Sequence, residues 1–266
     1  MDLLRRDLAP ISEEAWEEID AQARRVLKSL LTARKVVDVK GPYGLDFAGV
    51  STGRLDLVKD KGTGSPGFGV RRVQPLVEVR VPFTLNIWDL DDVSRGAQDI
   101  DLGPMEEAAR KLAGFEEGLL YNGQPEAGIP ALSKESTQKS MKIAEQPDAF
   151  LSTVAEALAQ LQTTPVEGPY ALVVGPEMWT FLSSTVQGRP LRYHVNYILD
   201  GPVLLSQFVK EPYLVSQRGG DIELVLGQDI SIGYEKHDTQ TVSLYFAESL
   251  TYRIIDPSVV IFFTTG

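Results

Sequence analysis

Gly62, Gly64 and Gly67 stand at the spacing of a GxGxxG loop, whose backbone N–H groups can wrap a pyrophosphate when a helix follows. Here Pro66 interrupts the loop and a strand-like pattern follows, so the stretch reads as a hairpin tip and not as a dinucleotide site. There are two histidines, His194 and His237, and neither sits in an HExxH or nucleophile-elbow context. A Ser-His-Asp arrangement would have to use one of them, which argues against hydrolytic chemistry. Asp89, Asp91, Asp92, Asp99 and Asp101 could offer oxygen ligands to a hard cation. Their spacing does not match an EF-hand loop, and a solvated acidic turn explains them as well. Trp88 heads that acidic stretch, where an indole is an unusual core residue; its face could stack on a flat heterocycle, or pack against the neighbouring strands. The apolar side of the first helix and the alternating run Ile230-Ser231-Ile232-Gly233-Tyr234 could form a groove for a short peptide, with Arg34 and Asp38 as polar ends. Ordinary core packing accounts for the same residues.

These candidates sit in a chain of 266 residues with ordinary globular composition, 43% hydrophobic and 24% charged. The net charge of −11 opposes phosphate binding, so nucleic acid is not an expected partner. There is no cysteine, which removes disulfides, thiolate metal sites and cysteine nucleophiles together. No uncharged apolar run is long enough to span a bilayer, and the first residues lack an apolar signal core. The expected location is the cytoplasm, with no membrane partner.

The positioning elements follow from periodicity. Ser12 can cap a helix carrying Trp16, Ile19, Ala23, Val26, Leu27, Leu30 and Leu31 on one face. A β-branched run at 36–39 ends at Gly41-Pro42-Tyr43-Gly44. A long arm follows: scattered β formers at 50–58, a flexible tip at 59–69, and a strand at 70–87. Its own apolar content is low, and two isolated strands are marginal in water, so it calls for a second surface such as a neighbouring copy. An acidic, turn-rich segment at 88–102 leads to a helix at 102–123, whose Met105, Ala108, Ala109, Leu112, Phe115, Leu119 and Leu120 share a face. That helix is expected to be a spine for a sheet and to carry no chemistry of its own. Helices at 149–161 and 191–199 and a short helix from Pro176 surround a strand at 169–174. From Val203 onward nearly everything reads as strand, with a hairpin turn at Gly219-Gly220-Asp221. The order predicts an α+β protein.

Taken together, DLAPISEEAWEEIDAQA, ARKVVDVKGPYG, PLVEVRVPFTLNIWDLDDVSRG, VEGPYALVV and RGGDIELVLGQDISIGYEKHDTQTVSLYFAESLT resemble, in order, the encapsulin shell proteins of family 1, the linocin-like type. The resemblance implies the HK97-like fold of tailed-phage major capsid proteins. It divides the chain into an N-terminal helix with the start of a P-domain (1–49), an E-loop (50–79), the P-domain with the spine helix (80–129), an A-domain (130–219) and returning P-domain strands (220–266). It implies a non-enzymatic shell subunit, a homo-oligomer of sixty copies with T=1 symmetry. The shell would enclose a cargo enzyme, a ferritin-like protein or a dye-decolorising peroxidase, in iron storage or oxidative-stress defence.

Cargo would be captured by a C-terminal targeting peptide, at a pocket that maps to Leu27, Leu31, Arg34, Asp38, Ile230, Ile232 and Tyr234. Where relatives carry an aromatic near Leu27, this chain has an aliphatic residue. Some relatives bind flavin on the tryptophan equivalent to Trp88, with Arg80 upstream, so FMN or another flavin is an implied cofactor. Gln187, Gly188 and Arg189 would line a fivefold pore, with Arg189 favouring anions. The alternatives are a phage-type capsid protein, or an enzyme acting as a ferric reductase through flavin or as a protease.

Overall fold

The computed structural model describes residues 3–58, 67–144, 146–186 and 188–264. The GxGxxG stretch up to Pro66 and the pore candidate Gln187 lie outside the described residues. Helix α1 (Glu13–Leu30) begins where Ser12 Oγ accepts the Ala15 N–H at 3.2 Å. Glu13 and Glu14 in its first turn and Lys28 in its last complement the helix dipole. Its buried Ala15, Ile19, Ala23, Leu27 and Leu30 keep helical spacing. Strand β1 (Asp38–Lys40) follows, then the arm, β2 (Gly49–Leu57) paired antiparallel with β3 (Gly69–Pro75).

The single strand expected at 70–87 is two. It breaks at Leu76, whose N–H donates to Ala48 O, and β4 (Val77–Asn86) then leaves the arm to pair with a different sheet. Pro75 supplies the break, because it offers no N–H to continue the ladder. The segment expected to be turn-rich opens instead with α2 (Ile87–Ser94), capped by Asn86 Oδ1 accepting the Trp88 N–H at 2.8 Å. The spine is α3 (Gly103–Tyr121). Gly123 stops it at φ +73, and a Cβ there would meet Ala131 N at 2.5 Å, so the site admits only glycine.

The insertion holds α4 (Leu132–Glu135), β5 (Met141–Lys142), α5 (Pro147–Thr163), β6 (Tyr170–Val174), α6 (Pro176–Leu182), the pair β7 (Thr185–Val186) and β8 (Arg189–Pro190), α7 (Leu191–Leu199), β9 (Val203–Leu205) and β10 (Tyr213–Ser216). The long pair β11 (Ile222–His237) and β12 (Thr241–Ile254) and the last strand β13 (Val260–Thr264) complete the chain.

Two sheets organise these elements. One has the order β1-β11-β12-β4, with β1 parallel to β11 and the other neighbours antiparallel. The other has the order β5-β13-β10-β6-β9. Two sequence expectations are corrected here. Gly219 and Gly220 do turn the chain, with φ of +84° and +83°, but they do not form a hairpin. The strands on either side belong to different sheets, because β10 is already flanked by β6 and β13. The terminal strand does not return to the sheet of β11 and β12 either. Tyr213↔Phe262 and Leu214↔Ile261 register it beside β10 in the insertion's sheet, where Val260, Ile261 and Phe263 are buried. Two apolar cores result: one around the five-stranded sheet and α5, the other between α1, α3 and the four-stranded sheet.

Candidate functional site

The sequence pairs an apolar helix face with an alternating strand, and the structure sets the two against each other. A groove of about 660 Å³ runs between α1 and β11. Its apolar lining is Ala23, Leu27 and Leu31 from the helix side, Ile230 and Ile232 from the strand, and Phe246 from β12. Arg34 lies at one end. Five of the seven pocket residues expected from sequence are thus brought together: Leu27, Leu31, Arg34, Ile230 and Ile232. Asp38 and Tyr234 are not among the lining. The Asp38 carboxylate accepts the Gly220 N–H and lines a separate polar cleft of about 200 Å³ with Lys35 and Ser216. β1 carries it away from the groove by pairing with Glu223 of β11. Tyr234 is half-buried further along β11, and its hydroxyl lies 2.6 Å from His237 Nδ1.

The chain's own start supplies part of the groove that sequence reading missed. Tyr234 N–H donates to Leu4 O at 2.8 Å, and Tyr245 hydroxyl donates to Leu3 O at 3.2 Å. Arg6 then clasps α1. It donates to both carboxylate oxygens of Asp20, at 3.2 and 2.8 Å, and stacks 3.9 Å from the Trp16 ring. Leu4, Arg6 and Asp20 therefore stand in the groove wall, with Arg24 and Lys28 on the helix beside them. The Arg6–Asp20 spacing carries no local sequence signal, because the two meet only when the first residues fold back along the helix.

Arg34 is held from below. Its Nε and Nη2 donate to Glu116 at 2.9 and 2.7 Å, its Nη2 also to Glu248 Oε1 at 2.7 Å, and its Nη1 to Asp229 at 2.9 Å. Burial opposes the guanidinium charge, but the hydrogen bonds and charges of Glu116, and then Glu248 and Asp229, hold its pKa above the ordinary arginine value. Glu116 sits on the spine helix, which beside its packing face carries two fully buried acids, Glu116 and Glu117.

The remaining candidates disperse. Trp88 is 65% exposed on the first turn of α2 and is not covered by the arm. Arg80, on β4, donates to Glu78 at 3.0 Å and lies 5.0 Å from the Tyr245 ring, so nothing in its contacts ties it to Trp88. Gly188 has φ +80, and the exposed Arg189 is 4.2 Å from the Tyr193 ring. His194 Nε2 lies 3.3 Å from Val186 O, and His237 pairs with Tyr234; among the described residues neither has a serine or aspartate hydrogen-bond partner. In the acidic stretch Asp92 binds Arg95, and Asp101 accepts the Gly103 N–H. Among the described residues no three His, Asp or Glu side chains gather as a metal site.

Comparison with known proteins gives a consistent picture. Residues 1–251 match the family model Linocin_M18, described as encapsulating protein for peroxidase. The chain is 42% identical to the type 1 encapsulin shell protein of Rhodospirillum rubrum, covering 98% of this chain and 96% of that one. It is 40% identical to the type 1 encapsulin shell protein of Mycobacterium tuberculosis, covering 95% of each. Among solved structures it aligns with the virus-like particle from Pyrococcus furiosus at TM-score 0.69 and 16% identity, over 94% of this chain and 99% of the other. The capsid of the native GTA particle aligns at TM-score 0.57 and 12% identity, over 90% and 97%. These structural likenesses carry the fold, which is α+β and HK97-like.

Proposed function

The chain belongs to the Linocin_M18 family of encapsulin shell proteins, and from that premise we propose that it closes, in sixty copies with T=1 symmetry, a container that loads its cargo through the α1–β11 groove. Family membership makes it a shell-forming subunit of a capsid-like nanocompartment, a structural component and not an enzyme. The observation that carries the finer reading is the convergence of Leu27, Leu31, Ile230, Ile232 and Phe246 into one open apolar trough. A trough about 660 Å³ in volume suits an extended peptide whose alternate side chains point down into it. The cargo is an oxidative-stress or iron-handling enzyme, a ferritin-like protein or a dye-decolorising peroxidase, bearing the peptide at its C-terminus. The compartment resides in the cytoplasm. The phage-capsid alternative is weaker, because the GTA capsid chain above shares 12% of residues with this one, whereas the encapsulin shell proteins share about 40%.

Two measurements test this. Electron microscopy of the purified protein should show uniform hollow particles; a monomer in solution would overturn the shell reading of this chain. Ile230→Asp places a charge on the groove lining at a half-buried position. Shells of this variant should assemble at normal size yet lose the cargo protein that co-purifies with the wild type. Undiminished cargo would move the loading site elsewhere.

A flavin on Trp88 is the second reading, supported by the exposed indole face. Gly188 and Arg189 are proposed to border a pore, where the Arg189 charge favours anions.

A further inference from the structure

Beneath the groove, the end of α1, the spine helix and the four-stranded sheet meet through a seam of buried polar groups. From α3 come Glu116, Glu117 and Tyr121, and from β12 come Glu248 and Tyr252; all are at most 3% exposed. Arg34 enters from the segment after α1, and Asp229 from β11. Glu116 Oε2 and Glu248 Oε1 both lie 2.7 Å from the same nitrogen, Arg34 Nη2, so the two oxygens are within twice that distance of each other. Glu117 stands on the same helix, accepting the Ala33 N–H and the Ser206 hydroxyl. Among the described residues, Glu248 Oε2, Tyr121 OH and Tyr252 OH have no hydrogen-bond partner.

The charge count decides what this seam must do. Three carboxylates share one guanidinium, two of them cut off from water, and the equally buried Glu117 stands beside them with no cation of its own. Ionised carboxylates buried in excess of their cations are not tolerated; such groups keep a proton instead. Pairs of acids sharing one site do this by mutual repulsion.

We propose that the seam is a proton-storing joint: at neutral pH Glu248 keeps a proton against the charge of Glu116, and losing it to solvent on alkalinisation loosens the attachment of the α1 end, and with it the groove wall formed by Leu31 and Arg34. The proposal regulates the groove assigned above but rests on the seam's own geometry. Electrostatics agree. Burial, then repulsion from Glu116, pushes the Glu248 carboxyl well above the ordinary range despite Arg34. Burial likewise pushes Glu117 up to about 7, against its two hydrogen-bond donors.

The sign follows from proton counting. A carboxyl whose pKa is higher folded than unfolded binds more protons in the native state, so stability falls as pH rises from the unfolded value towards the folded one. For Glu117 that window is about 4.5 to 7. For Glu248 it begins at the same point and runs upward from there.

The experiment compares assembled wild-type shells with Glu248→Gln and Glu117→Gln shells between pH 5.5 and 8.5. In the wild type, Tm should fall steadily with pH. Glu248→Gln, which fixes the neutral form and keeps an acceptor for Arg34, should lose the Glu248 share of that slope, keep the Glu117 share below about pH 7, and melt higher at pH 8.5. Infrared difference spectra of the wild type at pH 7 should contain the C=O stretch of protonated carboxyl, from which Glu248→Gln removes one component and Glu117→Gln another. Parallel Tm profiles with no such band would overturn the proposal. If Glu248→Gln fails to fold, a protonated-carboxyl band that survives at pH 7 in Glu117→Gln supports the proposal, and its loss there overturns it. Cargo loading is not part of the readout, so failure of the groove assignment leaves this test intact, and the reverse holds as well.

Discussion

Arg34 shows how much one side chain can be asked to hold. It lies at the groove's end and is the cation for Glu116 and Glu248, both without exposure of their side chains. Removing it strands the buried Glu116 carboxylate and leaves the buried Glu248 carboxyl without its donor. Arg34→Ala should therefore cost about 3–5 kcal/mol, the usual penalty for breaking a buried pair by deleting one partner. Chemical denaturation of the subunit measures it. Arg34→Lys restores a charge but not the planar fork that reaches three acids, so it should recover only part of the loss. Trp88 is the opposite case. Its exposure means that Trp88→Ala should change stability by no more than about 0.5 kcal/mol. If flavin stacks there, the same change should abolish any flavin absorbance that co-purifies with the shell, and unchanged absorbance would remove Trp88 from consideration.

At the scale of elements, α1 is both groove wall and anchor, so its ends matter. Ser12 Oγ accepts the Ala15 N–H and lies 2.9 Å from Ser94 Oγ on α2. Ser12→Ala should destabilise by about 1 kcal/mol through the lost cap, seen as a modest fall in Tm with the shell intact. The arm is a different kind of element. Among the described residues β2 and β3 pair only with each other, and Leu57 is 78% exposed, with Leu55, Phe68, Val70 and Val73 also exposed. Its base is fixed by Leu76 N–H to Ala48 O and Gln74 Nε2 to Ala127 O. A ribbon with this much apolar surface in water is built to be covered.

For the whole molecule, the uncovered arm and the finished body make separate claims. Replacing residues 49–75 by a short glycine-serine link should leave the circular dichroism of the body near its original form, because both cores lie outside the arm. The same variant should fail to form closed particles, which light scattering would show as a subunit-sized species. Particles of native size would mean that subunits are clasped by some other surface.

The sequence determined what short-range periodicity can encode. It marked α1, the spine helix and the arm, the α+β class, and the family resemblance that set Leu27, Leu31, Ile230 and Ile232 in one pocket. The elements follow from repeats of 3.6 and 2 residues and from caps, which act between near neighbours, whereas the pocket followed from the resemblance. The tertiary structure alone decided which sheet each terminal strand joins, because β13 is as apolar as a partner for β12 would be, and only the packed insertion offers it β10. It alone brought Arg6 to Asp20, and Glu116 and Glu248 to Arg34 across separations of 82 and 214 residues. A glutamate on an amphipathic helix looks like solvent-facing charge until a distant arginine is folded against it, since burial and pairing are properties of the assembled core and not of the local pattern.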